Sequence, residues 1–253
     1  MMTQLLRISG AGKRFGGLQA LSDVTLSIQG GQIYGLIGPN GAGKSTTFNL
    51  ITGVLPLTSG AVKFRGDTIS GLPSREILRK GMARTFQHVK MIPDMTVLEN
   101  VAMGGYSRGH TGVLSGMLGT NRNEEQRLFK LAQQQLERIG IGHTMHEQAG
   151  NLAMGQQRLM EIARALCADP ALLLLDEPAA GLRHKEKQGL ADVLRQLQSE
   201  GVSILLVEHD MDLVMQVCDK LVVMEFGTLL LEGTPKEIQE SPVVRAAYLG
   251  TEH

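Results

Sequence analysis

GPNGAGKST, residues 38–46, is the stretch that decides the fold, because it places three glycines around a single ionisable side chain. The aliphatic run 33–37 precedes it and predicts a buried strand, and we expect a helix that ends near Gly53 to follow it. A glycine turn between a strand and a helix is typical of a phosphate site, since backbone N–H groups and the helix N-terminus face the anion. The stretch matches the pattern G-x-x-x-x-G-K-[ST], with these residues in register: Gly38, Gly43, Lys44 and Ser45.

The side chains of this loop indicate a nucleotide rather than a simple anion. Lys44 is expected to reach the β- and γ-phosphates, and the hydroxyl of Ser45 to bind Mg²⁺. Thr46 adds a second hydroxyl to the first helical turn. The residues expected to wrap the phosphates with their backbone are Gly38, Pro39, Asn40, Gly41, Ala42 and Gly43. An accidental glycine turn is the alternative, and the strand–loop–helix context disfavours it.

A second motif, LLLLDEP at 172–178, supplies the carboxylates that hydrolysis needs in addition to binding. Asp176 falls at the end of a buried strand, where ligands gather in open parallel sheets, and is predicted to hold Mg²⁺, either as a direct ligand or through a group that binds the ion. Glu177 follows directly and is predicted to be the base that positions a water molecule. Two solvated acids at a strand end are the alternative, which the phosphate loop upstream makes the weaker interpretation.

Composition limits the classes of partner. The 253 residues fit one large or two small domains, and 25 basic residues balance 25 acidic ones. This zero net charge gives no support for nucleic-acid binding, and we expect no such partner. Cys167 and Cys218 lie among apolar residues and are expected to be buried thiols in a reducing cytoplasm. Because the apolar runs are too short for a signal peptide or a membrane span, another protein must hold the chain at any membrane.

The order of predicted elements indicates an α/β fold. Short aliphatic runs within the first 66 residues predict a β-rich start, and the continuous aliphatic runs 171–175 and 202–207 predict buried strands. Helices alternate with these strands, so we expect a mostly parallel sheet covered on both faces. The last strands, 220–225 and 227–233, are expected to form a hairpin.

Three helical patterns and one loop lie between these strands. Residues 121–140 are expected to form a helix that a capping box of Asn121 and Glu124 begins. The pattern at 156–168 predicts a helix that ends at Asp169-Pro170, and residues 184–201 predict another. Six glycines between Gly104 and Gly119 predict a mobile loop between helical pieces.

The stretches NLAMGQQRLMEIARAL, LDEP and LLVEHD, taken with the phosphate loop, resemble the nucleotide-binding subunits of ABC transporters over essentially the whole chain. Two departures occur in the LSGGQ-type signature of that family, since Ala153 replaces the usual serine and Met154 replaces a glycine. The resemblance implies a P-loop NTPase (RecA-like) core, an N-terminal antiparallel β subdomain and an inserted α-helical signature subdomain. The residues that stand in the signature are Leu152, Ala153, Met154, Gly155 and Gln156.

The same resemblance implies how the chain is organised. It predicts a single ABC ATPase domain over 1–253, in which 1–86 and 169–253 form the nucleotide-binding core with the β subdomain. Residues 87–168 would form the helical subdomain with its glycine-rich insertion. One chain would supply half of each of two MgATP sites, so a second ABC ATPase subunit is expected, either an identical copy or a paralogue.

Further site residues rest on the resemblance alone. Phe15 resembles the aromatic residue that stacks on adenine, with a core phenylalanine as the alternative. Gln87 resembles the residue that links Mg²⁺ and the attacking water to the membrane partner. His209 resembles the histidine that binds the γ-phosphate, with a structural histidine as the alternative. Arg183 stands where the family usually has an aspartate, in a loop that faces the partner subunit.

A closer resemblance is to the ATPases of branched-chain amino acid importers. It lies in residues 83–101, the glycine-rich insertion, LDEPAAGL and the ending 231–250. It implies ATP hydrolysis at the cytoplasmic face of the inner membrane, with permease subunits as direct partners and a substrate-binding receptor as an indirect one. No regulatory domain is expected after YLG.

Three alternatives stay open at this point. One alternative is the ATPase of a urea or short-amide importer. Another is a soluble ABC ATPase without a transport function. A soluble phosphotransferase would leave LAMGQ and His209 without purpose.

Overall fold

The computed structural model describes residues 4–87, 90–108 and 122–249. Within them the strands are β1 (Gln4–Phe15), β2 (Leu18–Gln29), β3 (Ile33–Ile37), β4 (Ser59–Phe64), β5 (Asp67–Thr68), β6 (Met82–Arg84), β7 (Leu172–Asp176), β8 (Ser203–Val207), β9 (Lys220–Glu225) and β10 (Thr228–Gly233). The helices are α1 (Lys44–Ile51), α2 (Ser74–Arg79), α3 (Val97–Ala102), α4 (Arg122–Arg138), α5 (Met154–Leu166), α6 (His184–Ser199), α7 (Met211–Val217), α8 (Pro235–Glu240) and α9 (Pro242–Leu249). Short 3₁₀ helices cover Met103–Arg108, Gly142–Thr144 and Ala149–Asn151.

The strands form two sheets. The larger has the order β10-β9-β3-β8-β7-β6, in which every neighbouring pair is parallel except the β9–β10 hairpin. The smaller is antiparallel, with the order β2-β1-β4-β5. The predicted α/β class, with a mostly parallel sheet, an N-terminal antiparallel sheet and a terminal hairpin, is therefore confirmed.

The larger sheet is buried on both faces. Side chains alternate between the faces of a strand, and in β7 this sends Leu173 and Leu175 into the core cluster that the helices cover. Leu172 and Leu174 enter the other cluster, which the antiparallel sheet and α1 cover. A strand buried on both faces needs continuous aliphatics, and this is why the chain reads LLLL here.

The predicted mobile loop between Gly104 and Gly119 is wrong for its first residues. The first part of the glycine-rich stretch, Met103–Arg108, is a 3₁₀ helix that continues α3. The reason is close packing, because a Cβ on Gly104 would lie 1.9 Å from the carbonyl oxygen of Arg164 in α5. The rest of that stretch, and Asn121 of the predicted capping box, lie outside the described residues.

The remaining helices end as their sequences predict. Helix α5 ends at Leu166, and Asp169 beyond it has a left-handed backbone with φ 49°. Helix α6 ends two residues before Gly201, which has φ 93°. Both cysteines are buried and free, and burial raises the pKa of the Cys167 thiol to about 12.

Candidate functional site

Neighbouring parallel strands carry the predicted site residues at their carboxyl ends. The phosphate loop follows β3, Glu177 follows β7, and His209 lies two residues beyond β8. Gln87 comes three residues after β6, which is the neighbour of β7. Since β3, β8, β7 and β6 are adjacent, the sheet gathers residues that are up to 171 positions apart in sequence, from Gly38 to His209.

The phosphate loop needs glycine for two different reasons. Gly43 is the N-cap of α1 and has a left-handed backbone with φ 99°. Gly38 lies against β9, where a Cβ would be 2.1 Å from the carbonyl oxygen of Met224. Any larger residue at these positions would push the loop off the strand or out of its turn, so both glycines are required to shape the loop.

Lys44 is directed back into this loop. Its ammonium donates to the carbonyl oxygens of Gly38 at 2.7 Å and Pro39 at 2.9 Å, and the residue is 6% exposed. Burial lowers the pKa of Lys44, an effect that the charge of Glu177 partly offsets. The loop thus holds one buried cation at its centre, with the exposed Ser45 and the half-buried Thr46 directly after it.

Glu177 joins the other two predicted catalytic side chains. Its Oε1 lies 2.8 Å from His209 Nε2, and its Oε2 accepts from Gln87 Nε2 at 2.8 Å. Desolvation raises the pKa of Glu177, but the hydrogen bonds from His209 and Gln87, with the charges of His209 and Lys44, bring it below its usual value. The carboxylate is therefore ionised at neutral pH and held from two sides.

The backbone at Glu177 is strained in a way that aims this side chain. Its φ of 49° lies in the left-handed region, which costs a non-glycine residue on the order of 1–3 kcal/mol. Its N–H donates to the carbonyl oxygen of Val207 at 2.9 Å, so β8 holds the turn in place. Such strain persists where the surroundings fix the conformation, and it is common at functional sites.

Asp176 ends β7 and has a different partner. Its Oδ2 accepts from Arg84 Nη2 at 2.7 Å, and both side chains are 10% exposed. Among the described residues its Oδ1 makes no hydrogen bond. A carboxylate with one oxygen bound and one oxygen free suits the predicted position of Asp176 beside a metal.

A cavity of about 530 Å³ opens above the phosphate loop. It is lined by loop and helix residues from Asn40 to Thr46 and by Glu177 and His209. Phe15 lies at its mouth, 44% exposed, with the Lys13 ammonium 5.0 Å from the ring centroid. Most of the residues predicted for the nucleotide site therefore line this one cavity. Gln87 does not line it, but it donates a hydrogen bond to Glu177, which does.

The predicted signature lies elsewhere. Ala153 is the N-cap of α5, and its N–H donates to the side chain of Gln156 at 3.3 Å. Met154 is 51% exposed and contacts the region of Gly181, where a Cβ would lie 2.6 Å from the methionine sulfur. Leu152 is buried beneath this turn. None of the residues 152–156 lines the nucleotide cavity, and Gly155 lines a smaller one of about 170 Å³ beside α6.

Over residues 21–180, more than half of its length, the chain matches the sequence profile of the ABC transporter family. The chain belongs to the ABC transporter family. Residues 228–253 also match a profile described as "Branched-chain amino acid ATP-binding cassette transporter". As an ABC transporter ATP-binding subunit, the chain binds and hydrolyses ATP, and subunits of this type work with membrane permease components.

Curated relatives match this ABC subunit from end to end. It is 44% identical to the high-affinity branched-chain amino acid transport ATP-binding protein LivG of Salmonella typhimurium, over 99% of each chain. It is 43% identical to the corresponding protein BraF of Pseudomonas aeruginosa, again over 99% of each. A probable LivG of Archaeoglobus fulgidus is 35% identical, over 98% of this chain and 96% of the relative.

Solved ATP-binding cassettes share the fold. The ADP conformation of MJ1267, an ATP-binding cassette of an ABC transporter, matches with a TM-score of 0.88 at 33% identity. The match covers 98% of this chain and 99% of that one. A nucleotide-free cassette from an ABC transporter gives a TM-score of 0.85 at 33% identity, over 97% and 99% of the two chains. The described residues of this ABC subunit contain no helix with the length and apolar character needed to cross a bilayer.

Sequence reasoning missed three residues of this ABC subunit. Glu208 is buried, and its carboxylate accepts from the N–H groups of Ala179 at 2.6 Å and His209 at 3.0 Å, so it ties the loop after β7 to the loop after β8. Phe226 lines the nucleotide cavity and is 84% exposed. Arg84 pairs with Asp176. A charged residue inside a buried run was the available signal for Arg84 and Glu208.

Proposed function

We propose that the chain is the ATPase subunit of an importer for branched-chain amino acids. The observation that carries the proposal is the full-length similarity to LivG and BraF, whose names specify branched-chain amino acid transport. The match of residues 228–253 to a profile of the same description supports it independently at the end of the chain. The chain itself offers its cavity to a nucleotide and not to cargo, so the amino acid would bind to other subunits.

The nucleotide would bind with its phosphates in the loop after β3. Lys44 and the N–H groups at the start of α1 would hold the β- and γ-phosphates, and Phe15 would stack on the adenine. Ser45, Asp176 and Gln87 each carry an oxygen of the kind that Mg²⁺ prefers, and these three residues would hold the ion. Mg²⁺, when bound, would neutralise charge on the phosphate oxygens.

Glu177 and the two side chains that bind it support hydrolysis at this position. An ionised carboxylate held by Gln87 and His209 is suited to orient a water molecule and take its proton. His209 would then bind the γ-phosphate, and Gln87 would connect the carboxylate to the loop that follows β6. The protein would contribute mainly position and charge, because phosphoryl transfer needs little covalent help.

Each nucleotide site would be completed by a second ABC ATPase subunit, identical or paralogous. The support is the location of the signature turn, which is exposed at Ala153 and Met154 and lies away from the chain's own nucleotide cavity. A helix N-terminus with free N–H groups is suited to bind an anion, here the γ-phosphate held by the other subunit. Two such chains would bury two nucleotides between them.

The permease would bind a mainly apolar groove of about 590 Å³ between α2, β6 and α5. Its walls include Ile77, Met91 and Ala165, and its rim carries Phe86 and Lys90 on either side of the segment that contains Gln87. A cytoplasmic segment of a permease bound here would therefore contact the loop that carries a residue of the hydrolytic site. The chain would accordingly work at the cytoplasmic face of the inner membrane, with a substrate-binding receptor as an indirect partner.

The experiment that tests the hydrolytic assignment is Glu177→Gln. This variant keeps the shape of the site and loses the base, so we expect ATP binding by calorimetry to persist and hydrolysis to fall about 10²–10⁴-fold. ATP should then trap a closed dimer on size-exclusion chromatography, alone or with a related subunit. Glu125→Gln, an exposed change in α4, is the control. Hydrolysis at the parental rate by Glu177→Gln would contradict the assignment.

The cargo is tested by reconstitution with the permease and receptor subunits in proteoliposomes. Leucine, isoleucine and valine should stimulate ATP hydrolysis when the receptor is present. Stimulation by urea or a short amide instead would support the alternative importer. Failure to co-purify with any integral membrane protein would support a soluble ABC ATPase without a transport function.

A further inference from the structure

Arg84 connects three elements around the predicted metal carboxylate. Its Nη2 donates to Asp176 Oδ2 at 2.7 Å, across the contact between β6 and β7. Its Nη1 donates to the side chain of Asn49 at 2.7 Å and to the hydroxyl of Thr52 at 3.2 Å, at the end of α1. One guanidinium thus joins the carboxylate at the end of β7 to the helix that begins in the phosphate loop.

Two aromatic rings lie within cation–π distance of the same guanidinium. Its central carbon lies 5.5 Å from the ring centroid of Phe48, which is fully buried, and 5.3 Å from that of Phe86. Phe86 is exposed and lines the apolar groove, as does Arg84 itself. Both distances are within the range of a cation–π contact, so the guanidinium also contacts a ring at the groove surface.

The ion pair between Arg84 and Asp176 differs from a surface ion pair, because both charges are largely removed from water. Both side chains are 10% exposed, so each charge has left most of its water. Arg84 Nε is buried and has no hydrogen-bond partner among the described residues. The guanidinium therefore gives up one hydrogen bond in the orientation that serves Asp176, Asn49 and Thr52. Lysine has no planar fork and cannot reproduce this three-way contact.

We propose that Arg84 is a positioning residue, which fixes the Asp176 carboxylate so that Oδ1 faces the metal and links this orientation to the groove through Phe86. The proposal rests on the proposed function, in which Asp176 binds Mg²⁺ and the groove binds the permease. Hydrogen-bond partners of metal-binding carboxylates typically contribute about 10–100-fold in metal affinity. Arg84 would exert this effect without touching nucleotide or metal.

The test is the Mg²⁺ concentration at which ATP binding to the full chain is half-maximally strengthened, measured by calorimetry. In Arg84→Lys this concentration should rise about tenfold or more, while the dissociation constant for ATP in EDTA stays within about twofold of the parent. A purely structural residue would instead weaken both quantities together. Arg195→Lys is the matched control, because Arg195 pairs with Asp219 at 3.2 Å outside the nucleotide cavity.

Phe86→Leu keeps the test decisive if Arg84→Lys fails to fold. This change removes the groove-side ring from an exposed position, and it should raise the half-maximal Mg²⁺ concentration about threefold. In the double variant the effects should not add, because both act through the same guanidinium. A parental Mg²⁺ dependence in Phe86→Leu and in any folded Arg84→Lys overturns the proposal. A parent chain that binds ATP without any response to Mg²⁺ overturns the proposed metal site itself.

Discussion

The phosphate loop and the signature turn are both glycine-containing turns at a helix N-terminus, yet the structure treats them differently. The phosphate loop has left-handed glycines at its turns, a lysine directed into its centre and a cavity above it. The signature turn has an extended alanine as its N-cap, an exposed methionine after it and no part in that cavity. The first lines a cavity within its own chain, and the second does not.

The physical reason lies in what surrounds each helix N-terminus. Around α1, the loops after β7 and β8 bring a carboxylate and a histidine to the same space. Around α5, the neighbours are Gly181 and Glu186, of which the second would repel a phosphate rather than hold it. The N-terminus of α5 is instead exposed to solvent at Ala153 and Met154, apart from the chain's own nucleotide cavity.

Lys44→Ala is the change with the largest expected effect, because it removes the buried cation at the centre of the phosphate loop. Nucleotide affinity should fall strongly, and hydrolysis should fall about 10²–10³-fold, as for loss of a preorganised charge at a transferring phosphoryl group. Calorimetry with MgATP and a phosphate-release assay measure the two quantities. Lys63→Ala, on the exposed face of β4, is the control. Unchanged ATP binding in Lys44→Ala would contradict the phosphate-loop assignment.

Ala153→Asp tests the signature turn and should have a smaller effect. Aspartate is a favourable N-cap, so it should stabilise α5 by about 0.5–1 kcal/mol while placing a negative charge where the γ-phosphate of a second subunit would approach. Hydrolysis should fall about tenfold or more, and the ATP affinity of the isolated chain should stay at the parental value.

Ala153→Ser is the matched control for this aspartate. Serine adds a comparable cap without the charge, and thermal unfolding should show a comparable stabilisation. We expect the serine variant to hydrolyse ATP at least as fast as the parent. Equal rates in the aspartate and serine variants would mean that no phosphate reaches this turn, and the contrast between the two regions would lose its functional meaning.

Phe15→Ala should have the smallest effect of the three. Loss of one stacking surface should weaken ATP binding by about 1–2 kcal/mol, because aromatic stacking on a base contributes in this range. Phe15→Tyr keeps the ring and serves as the control. Calorimetry with ATP and with inorganic triphosphate separates the effects, since only the nucleotide should respond. A parental ATP affinity in Phe15→Ala would favour a packing function for this residue.

Much of the fold could be predicted because its signals are local. The runs LLLL in β7 and SILLV in β8 predict strands buried on both faces, and Gly201 predicts the end of α6. The glycines before residue 109 predicted a loop, yet Met103–Arg108 is helical. The sequence could not show this, because Gly104 is required by the backbone of α5, a contact across 60 residues of chain.

In the candidate site, too, some residues could be predicted from local sequence and others could not. Lys44, Asp176 and Glu177 could be found from motifs, since each lies at a fixed distance from a glycine turn or a buried run. Arg84 and Glu208 stand out in sequence only as charged residues next to buried runs, and their partners Asp176 and Ala179 lie 92 and 29 positions away, so their contacts could not be predicted.

Local sequence patterns encode the phosphate loop, the two acids that follow a buried strand, and a parallel sheet covered on both faces. These features are encoded in neighbouring residues, whose periodicity and turn chemistry act over a few positions. Three further facts depend on how the elements pack: Gln87 and His209 bind the carboxylate of Glu177, Arg84 binds that of Asp176, and the signature turn lies outside the nucleotide cavity. Strand order brings those groups together, and strand order results from packing across the whole sheet.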